Sequence, residues 1–227
     1  MSPFEIALHS VNNVKLIDPL IGYDDYIALD LSDANLELSK INCANALDFE
    51  NFVDNYLKKN KAKIAFGGYN EKRSLYKRSL MFNENESTER NIHIGLDIWA
   101  KAATPIFAAI DGTIHSFKNN LGLGNYGPTI ILQHNIQNHN FYTLYGHLSL
   151  KSIENIEVGR VLKKGELLGT LGDYEINGDY APHLHFQIIK DIGDYFGDYP
   201  GVCNQNDLSY YLSNCPDPNR LLKIKSH

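Results

Sequence analysis

Residues 181–190 read APHLHFQIIK. Side chains on an extended strand alternate between two faces, so His183, His185 and Gln187 share one side while Leu184, Phe186 and Ile188 share the other. The apolar side of such a strand packs on a core. Its second face then carries two imidazoles side by side, and each costs desolvation free energy unless it finds a polar partner or water. An exposed polar face would account for an isolated His-x-His, so residues elsewhere decide whether these two do chemistry.

The surrounding pattern is that of a β protein. From Asn91 the chain runs through IHIGLDIWA, PIFAAI, GTIHSF, PTIILQHN, FYTLYGHLS, RVLKKGELLGTLG and HLHFQIIK, with Gly, Asn and Asp at the breaks. Short strands at such spacings predict a mainly β sandwich or barrel. Fourteen tyrosines and ten phenylalanines against one tryptophan fit that reading. The first third differs. YIALDLS (26–32) alternates as a short strand, and ALDFENFVDNYLKKN (46–60) places Leu47, Phe49, Phe52, Val53, Tyr56 and Leu57 on one helical stripe. FGGYNEKRSLYKRSLMFNENESTER (66–90) reads as a connecting arm and loop. The expected division is a small N-terminal α/β appendage with its arm (1–85), a β domain (86–195) and a C-terminal extension packed on it (196–227).

A net charge of −6 supplies no basic field for nucleic acid or an anionic membrane surface. The cluster Lys58, Lys59, Lys61 and Lys63 closes the predicted helix, where cations complement the dipole. No apolar run reaches membrane-spanning length. The opening MSPFEIALHSVNN lacks the basic and apolar regions of a secretory leader, and three cysteines, Cys43, Cys203 and Cys215, without C-x-x-C spacing suit reduced thiols. Both point to the cytosol, although Cys203 and Cys215 could pair in an exported protein. Oligomeric state is not legible.

Two further motifs dissolve on context. GLGNYG (122–127) spells G-x-G-x-x-G, but Pro128 and a β-forming run follow where a phosphate-binding helix would have to start, so it is a hairpin loop. VGRVLKKGELLGTLG (158–172) has the cadence of a biotinyl or lipoyl carrier, yet Lys163 and Lys164 lie beside a glycine turn without the flanking pattern of a modified lysine.

NIHIGLDIWA (91–100) is different. His93, Gly95 and Asp97 fall on one strand face and Ile94, Leu96 and Ile98 on the other. With the downstream His-x-His, the chain offers His, Asp and His to one zinc ion in a tetrahedral site that keeps its fourth position open. His147, after a Tyr-Gly pair, adds another imidazole.

HIGLD, TPIFAAIDGTIHSF, YGPTIILQH, YTLYGHLS and PHLHFQI occur in the order and approximate spacing of the lysostaphin/LytM-type zinc metallopeptidases, which residues 90–190 resemble. The resemblance implies an antiparallel barrel-sandwich of the duplicated-hybrid-motif type with its site in a groove. It also implies that His93, Asp97 and His185 bind zinc, that His147 and His183 act in catalysis, and that His134 is structural. The implied reaction is endopeptidase cleavage of glycine-rich or cell-wall-type peptides, with a peptide or peptidoglycan-type substrate as the partner. All five residues being present argues against a degenerate scaffold. No H-E-x-x-H glutamate is available as base, which leaves His183 as the leading candidate and His147 as assistant or oxyanion donor, the two roles being exchangeable. Where relatives carry a tyrosine before the first zinc histidine this chain reads NENESTERN, and Tyr126 is the expected substitute. In some relatives a preceding segment blocks the metal with an asparagine; Asn70 is the matching candidate here.

Separately, GGYNEKRSLY, GDYPGVC and CPDPNRLL look like segments flanking the peptidase-like domain of fusion proteins that also carry an aminoglycoside-phosphotransferase-like kinase and a class III aminotransferase. Two alternatives to an enzyme stay open, a zinc-holding domain without turnover and a carrier-like barrel.

Overall fold

The computed structural model describes residues 1–79, 82 and 89–225. An eight-stranded sheet organises the chain. The apolar faces of β5 (Leu96–Trp99), β7 (Gly112–Asn120), β8 (Gly127–Ile136), β9 (His139–Gly146) and β12 (His183–Ile189) turn toward one core. Leu96, Ile98, Ile114, Ile130, Leu132, Tyr145, Leu184, Phe186 and Ile188 meet there. Burying such side chains supplies about 1.5–3 kcal/mol each before the cost of ordering the chain. With β1 (Tyr26–Ala28), β2 (Ile64–Gly67) and β10 (Val161–Leu162), the order is β1-β2-β5-β12-β9-β8-β7-β10. Every pair is antiparallel except β1 with β2. The mainly β architecture agrees with the sequence reading.

Two smaller sheets complete the frame. β6 (Pro105–Phe107) pairs with β11 (Leu167–Thr170), and β4 (Ile92–His93) is flanked by β3 (Glu71–Lys72) and β13 (Val202–Cys203). Strands from the first 72 residues therefore lie in both sheets that carry the site, with Gly67 opposite Asp97 and Glu71 opposite His93. Residues 66 and 67, read as the start of an arm, are strand because β5 offers them a free edge.

Helix α1 (Pro3–Ser10) starts with a capping box between Ser2 and Glu5 and buries Phe4, Ala7 and Leu8. Helix α2 (Ala46–Asn60) is capped by the Asn45 side chain on the Asp48 amide and packs Phe49 and Val53 on Ala65 and Trp99. Leu47, assigned above to its apolar stripe, is exposed, because the buried face runs through Ala46, Phe49 and Val53. Among the described residues no helix is long and apolar enough to cross a membrane. All three cysteines are free thiols. Residues 122–126 of GLGNYG lie in the connection between β7 and β8, which Gly127 opens, and Lys163 and Lys164 are tied at their turn to Asp111.

Candidate metal centre

The register of three strands assembles the centre. Asp97 on β5 stands opposite His185 on β12, and His93 is the last residue of β4, one glycine turn earlier. A Cβ at Gly95 would lie 2.3 Å from the His185 ring, so the backbone there can be approached only because the residue is glycine. The metal-facing atoms form a small triangle. His93 Nε2 is 2.8 Å from His185 Nδ1, Asp97 Oδ1 is 3.2 Å from His93 Nε2, and the same oxygen is 3.2 Å from His185 Nδ1. Ligands about 2.0–2.1 Å from a tetrahedral zinc stand roughly 3.3 Å from one another, so the set fits that ion.

Hydrogen bonds on the far side of each ring define what these atoms can do. His93 Nδ1 donates to the Gly68 carbonyl at 2.8 Å. His185 Nε2 donates to Gln187 Oε1 at 3.0 Å, and the Gln187 amide is oriented by donating to the Pro200 carbonyl. Each neutral ring then turns a lone pair inward. Two lone pairs and a carboxylate oxygen converge at under 3.3 Å with no proton between them, an arrangement that calls for a cation.

The electrostatics keep His93 and Asp97 deprotonated. Burial, then the Arg73 charge, push His93 down to about 4. Burial works to raise the Asp97 carboxyl, but His93 and the Arg73 guanidinium outweigh it and hold Asp97 well below the usual carboxylate range. Arg73 Nη1 donates to Asp97 Oδ2 at 2.6 Å.

His183 and His147 stand beside the triangle. His183 Nδ1 donates to the Ala181 carbonyl at 2.7 Å, and its Nε2 lies 3.9 Å from Asp97 Oδ1. His147 Nδ1 donates to the Asn177 carbonyl at 2.8 Å. The two rings are 4.3 Å apart, centroid to centroid, with Trp99 stacked on His183 and Tyr180 packed against both. Burial lowers both imidazoles, well below the usual value for His147. Both therefore offer an unprotonated Nε2 at neutral pH. His147 has φ 61°, a left-handed conformation that costs about 1 kcal/mol or more in a residue with a side chain. Its turn holds that strain with bonds from the His147 amide to the Tyr126 carbonyl and from the Gly172 amide to the His147 carbonyl.

The structure thus brings His93, Asp97, His147, His183 and His185 to one cavity of about 310 Å³. His134 lies elsewhere, bonded to the Asp111 carbonyl and Thr143. Tyr126 reaches the cavity, but its hydroxyl lies 3.4 Å from His185 Nε2, on the ring edge turned away from the metal-facing Nδ1. Asn70 is exposed at a turn with φ 54°; the residue of the arm that enters the centre is Arg73. Residues 83–88 of the NENESTERN stretch lie outside the described residues. Arg73 and Gln187 were missed by the sequence reading. Gln187 shares the face of His183 and His185 and could have been found there; the polar arm gave no comparable signal for Arg73.

The sequence profile of Peptidase family M23 matches residues 91–196. Peptidoglycan DD-endopeptidase ShyC of Vibrio cholerae is 33% identical over 98 residues, which are 43% of this chain and 20% of the relative, so the chain spans about a fifth of that protein. Among solved structures, the catalytic domain of lysostaphin from Staphylococcus simulans is 27% identical with a TM-score of 0.40, covering 59% of this chain and 80% of that one. LytU is 24% identical with a TM-score of 0.41, covering 58% and 72%. The profile match, residues 91–196, contains every residue of the centre, from His93 to His185.

Proposed function

We propose that this chain is a zinc metalloendopeptidase that hydrolyses peptide bonds in cell-wall-type or glycine-rich peptides. The observation that carries the reading is the convergence of His93 Nε2, Asp97 Oδ1 and His185 Nδ1 beside two neutral imidazoles whose Nε2 atoms are free. The M23 profile and the likeness to a protein named as a peptidoglycan DD-endopeptidase support the substrate class.

Zinc, when bound, supplies Lewis-acid polarisation of a carbonyl and an acidified water. The protein supplies the proton handling. His183 Nε2 accepts the proton of the attacking water, because the imidazolium so formed lies 3.9 Å from the Asp97 carboxylate. The same proton then passes to the leaving amine. His147, with its Nδ1 hydrogen committed to Asn177, presents an acceptor, and it donates to an oxyanion only once protonated. The buried walls limit competing water.

The test uses the full chain and five alanine variants, with zinc affinity and hydrolysis of peptidoglycan fragments and a glycine-rich peptide set measured on each. His93→Ala, Asp97→Ala and His185→Ala should lose zinc and activity together. His147→Ala and His183→Ala should keep zinc and lose roughly 10²-fold or more in rate. Zinc-loaded wild type that releases no product from either substrate set would favour a binding domain without turnover. Retention of zinc by His185→Ala with loss by His183→Ala would reverse the two histidines.

A further inference from the structure

Arg73 is 3% exposed and lies in the segment before the stretch that matches the M23 profile, just after β3. Its backbone amide bonds the Asn91 carbonyl, which carries the side chain into the centre. There the guanidinium is held between two carboxylates. Nε donates to Glu71 Oε2 at 2.6 Å, and Nη1 donates to Asp97 Oδ2 at 2.6 Å and to the Tyr76 hydroxyl at 3.2 Å. Glu71 is itself fixed, since its other oxygen accepts from the Leu31 amide. Nη2 has no hydrogen-bond partner among the described residues and lies so near Gly68 that a Cβ there would sit 1.9 Å from it.

A guanidinium buried this deeply is a costly way to stabilise a fold, because desolvation offsets much of the attraction. What it provides is geometry. The planar fork makes directed bonds that a point charge cannot. It occupies Oδ2 of Asp97 and so leaves Oδ1 as the oxygen turned toward His93 and His185.

We propose that Arg73 is a positioning residue that restricts Asp97 to single-oxygen metal coordination, so that the segment preceding the stretch that matches the M23 profile sets the coordination number of the metal. The inference rests on the metal-site reading above.

The test titrates Co²⁺ into the metal-free full chain and reads its visible absorption, whose intensity reports coordination number, alongside zinc affinity by competition with a chromogenic chelator. Wild type should show the strong bands of a four-coordinate ion. In Arg73→Met, Oδ2 is released to the metal, so the bands should weaken and zinc affinity should fall by about 10–100-fold, the scale for losing an outer partner of a ligand. Arg73→Lys, which keeps the charge but not the fork, should recover affinity only in part and leave the bands weakened. Glu71→Gln keeps the guanidinium on Asp97 but loosens its other anchor, and should shift the bands in the same direction by less. It carries the test if Arg73→Met does not fold. Bands and affinity unchanged in the folded variants, tighter zinc in Arg73→Met, or full rescue by lysine would each overturn the inference. Wild type that binds neither cobalt nor zinc would overturn the metal-site reading as well, which separates the two failures.

Discussion

Replacing His134 by asparagine tests whether the histidine outside the centre acts on stability alone. His134 on β8 is 3% exposed, donates from Nδ1 to the Asp111 carbonyl at 2.7 Å, and accepts at Nε2 from the Thr143 hydroxyl at 2.7 Å. Burial pushes it down to about 4, against the Asp111 carbonyl and carboxylate, which favour the protonated ring. In the unfolded chain it takes a proton as pH falls through about 6.5. Between these values the unfolded state binds more protons, so stability drops as pH falls from about 6.5 and the loss levels off below about 4. At its full extent this difference in proton affinity corresponds to about 3 kcal/mol. In His134→Asn the amide keeps the bond to Asp111 but nothing titrates. The variant should be less stable at pH 7 by about 1–3 kcal/mol, from lost ring packing and the Thr143 bond, and that deficit should vanish or reverse sign by pH 4. Urea denaturation of both proteins with chelator present, at half-unit steps from pH 7.5 to 4, measures the difference. Acid effects of the buried site histidines are common to both proteins and cancel. A deficit that stays constant with pH, or a His134 titration near 6.5 by NMR, would refute the reasoning.

Two further outcomes concern the centre itself. Chelation should lower the unfolding midpoint because three acceptor atoms then face one another across 2.8–3.2 Å, and zinc at about 100 times its dissociation constant should return roughly 2.7 kcal/mol; equal midpoints with and without zinc would contradict this. Trp99, the single tryptophan, stacks on His183 at 5.8 Å and 22°, so its emission should be quenched on acidification of the metal-free protein with a midpoint below 6.5, since burial lowers His183. The same titration persisting in His183→Ala would sever that link.

The residues of the centre were legible because chemistry and strand period coincide. His93 with Asp97, and His183 with His185, lie on single faces whose reverse sides are apolar, and β pairing then needs only the right register to join them. The register itself was not legible. Sliding β12 by two residues along β5 would keep every apolar side chain in the core and carry His185 away from Asp97. Its defining contact is Gly95, where a side chain would collide with the His185 ring. Arg73 could not be found for a related reason. In NEKRSLY its charge reads as solvated, and only the pairing of Glu71 with His93, set between strands twenty-two positions apart, turns it inward. Period-two patterning reports the environment of a residue along its own strand, whereas an outer ligand shell is made between strands.

That difference bears on how the centre is built. His93 is oriented by Gly68, Asp97 by Arg73, and His185 by Gln187, whose amide is set by Pro200 and which also donates to Cys215. Two of these three supports precede the stretch that matches the M23 profile, and the third leans on carbonyl and thiol groups that follow it. A metal ligand held within a few tenths of an ångström needs a partner that does not move with it. β2 and β3 meet that need because they are hydrogen-bonded into the sheets that carry Asp97 and His93. The flanking segments are thus part of the metal centre rather than an attachment to it. Excising residues 91–196 should therefore leave the three ligands present, with two of them unsupported.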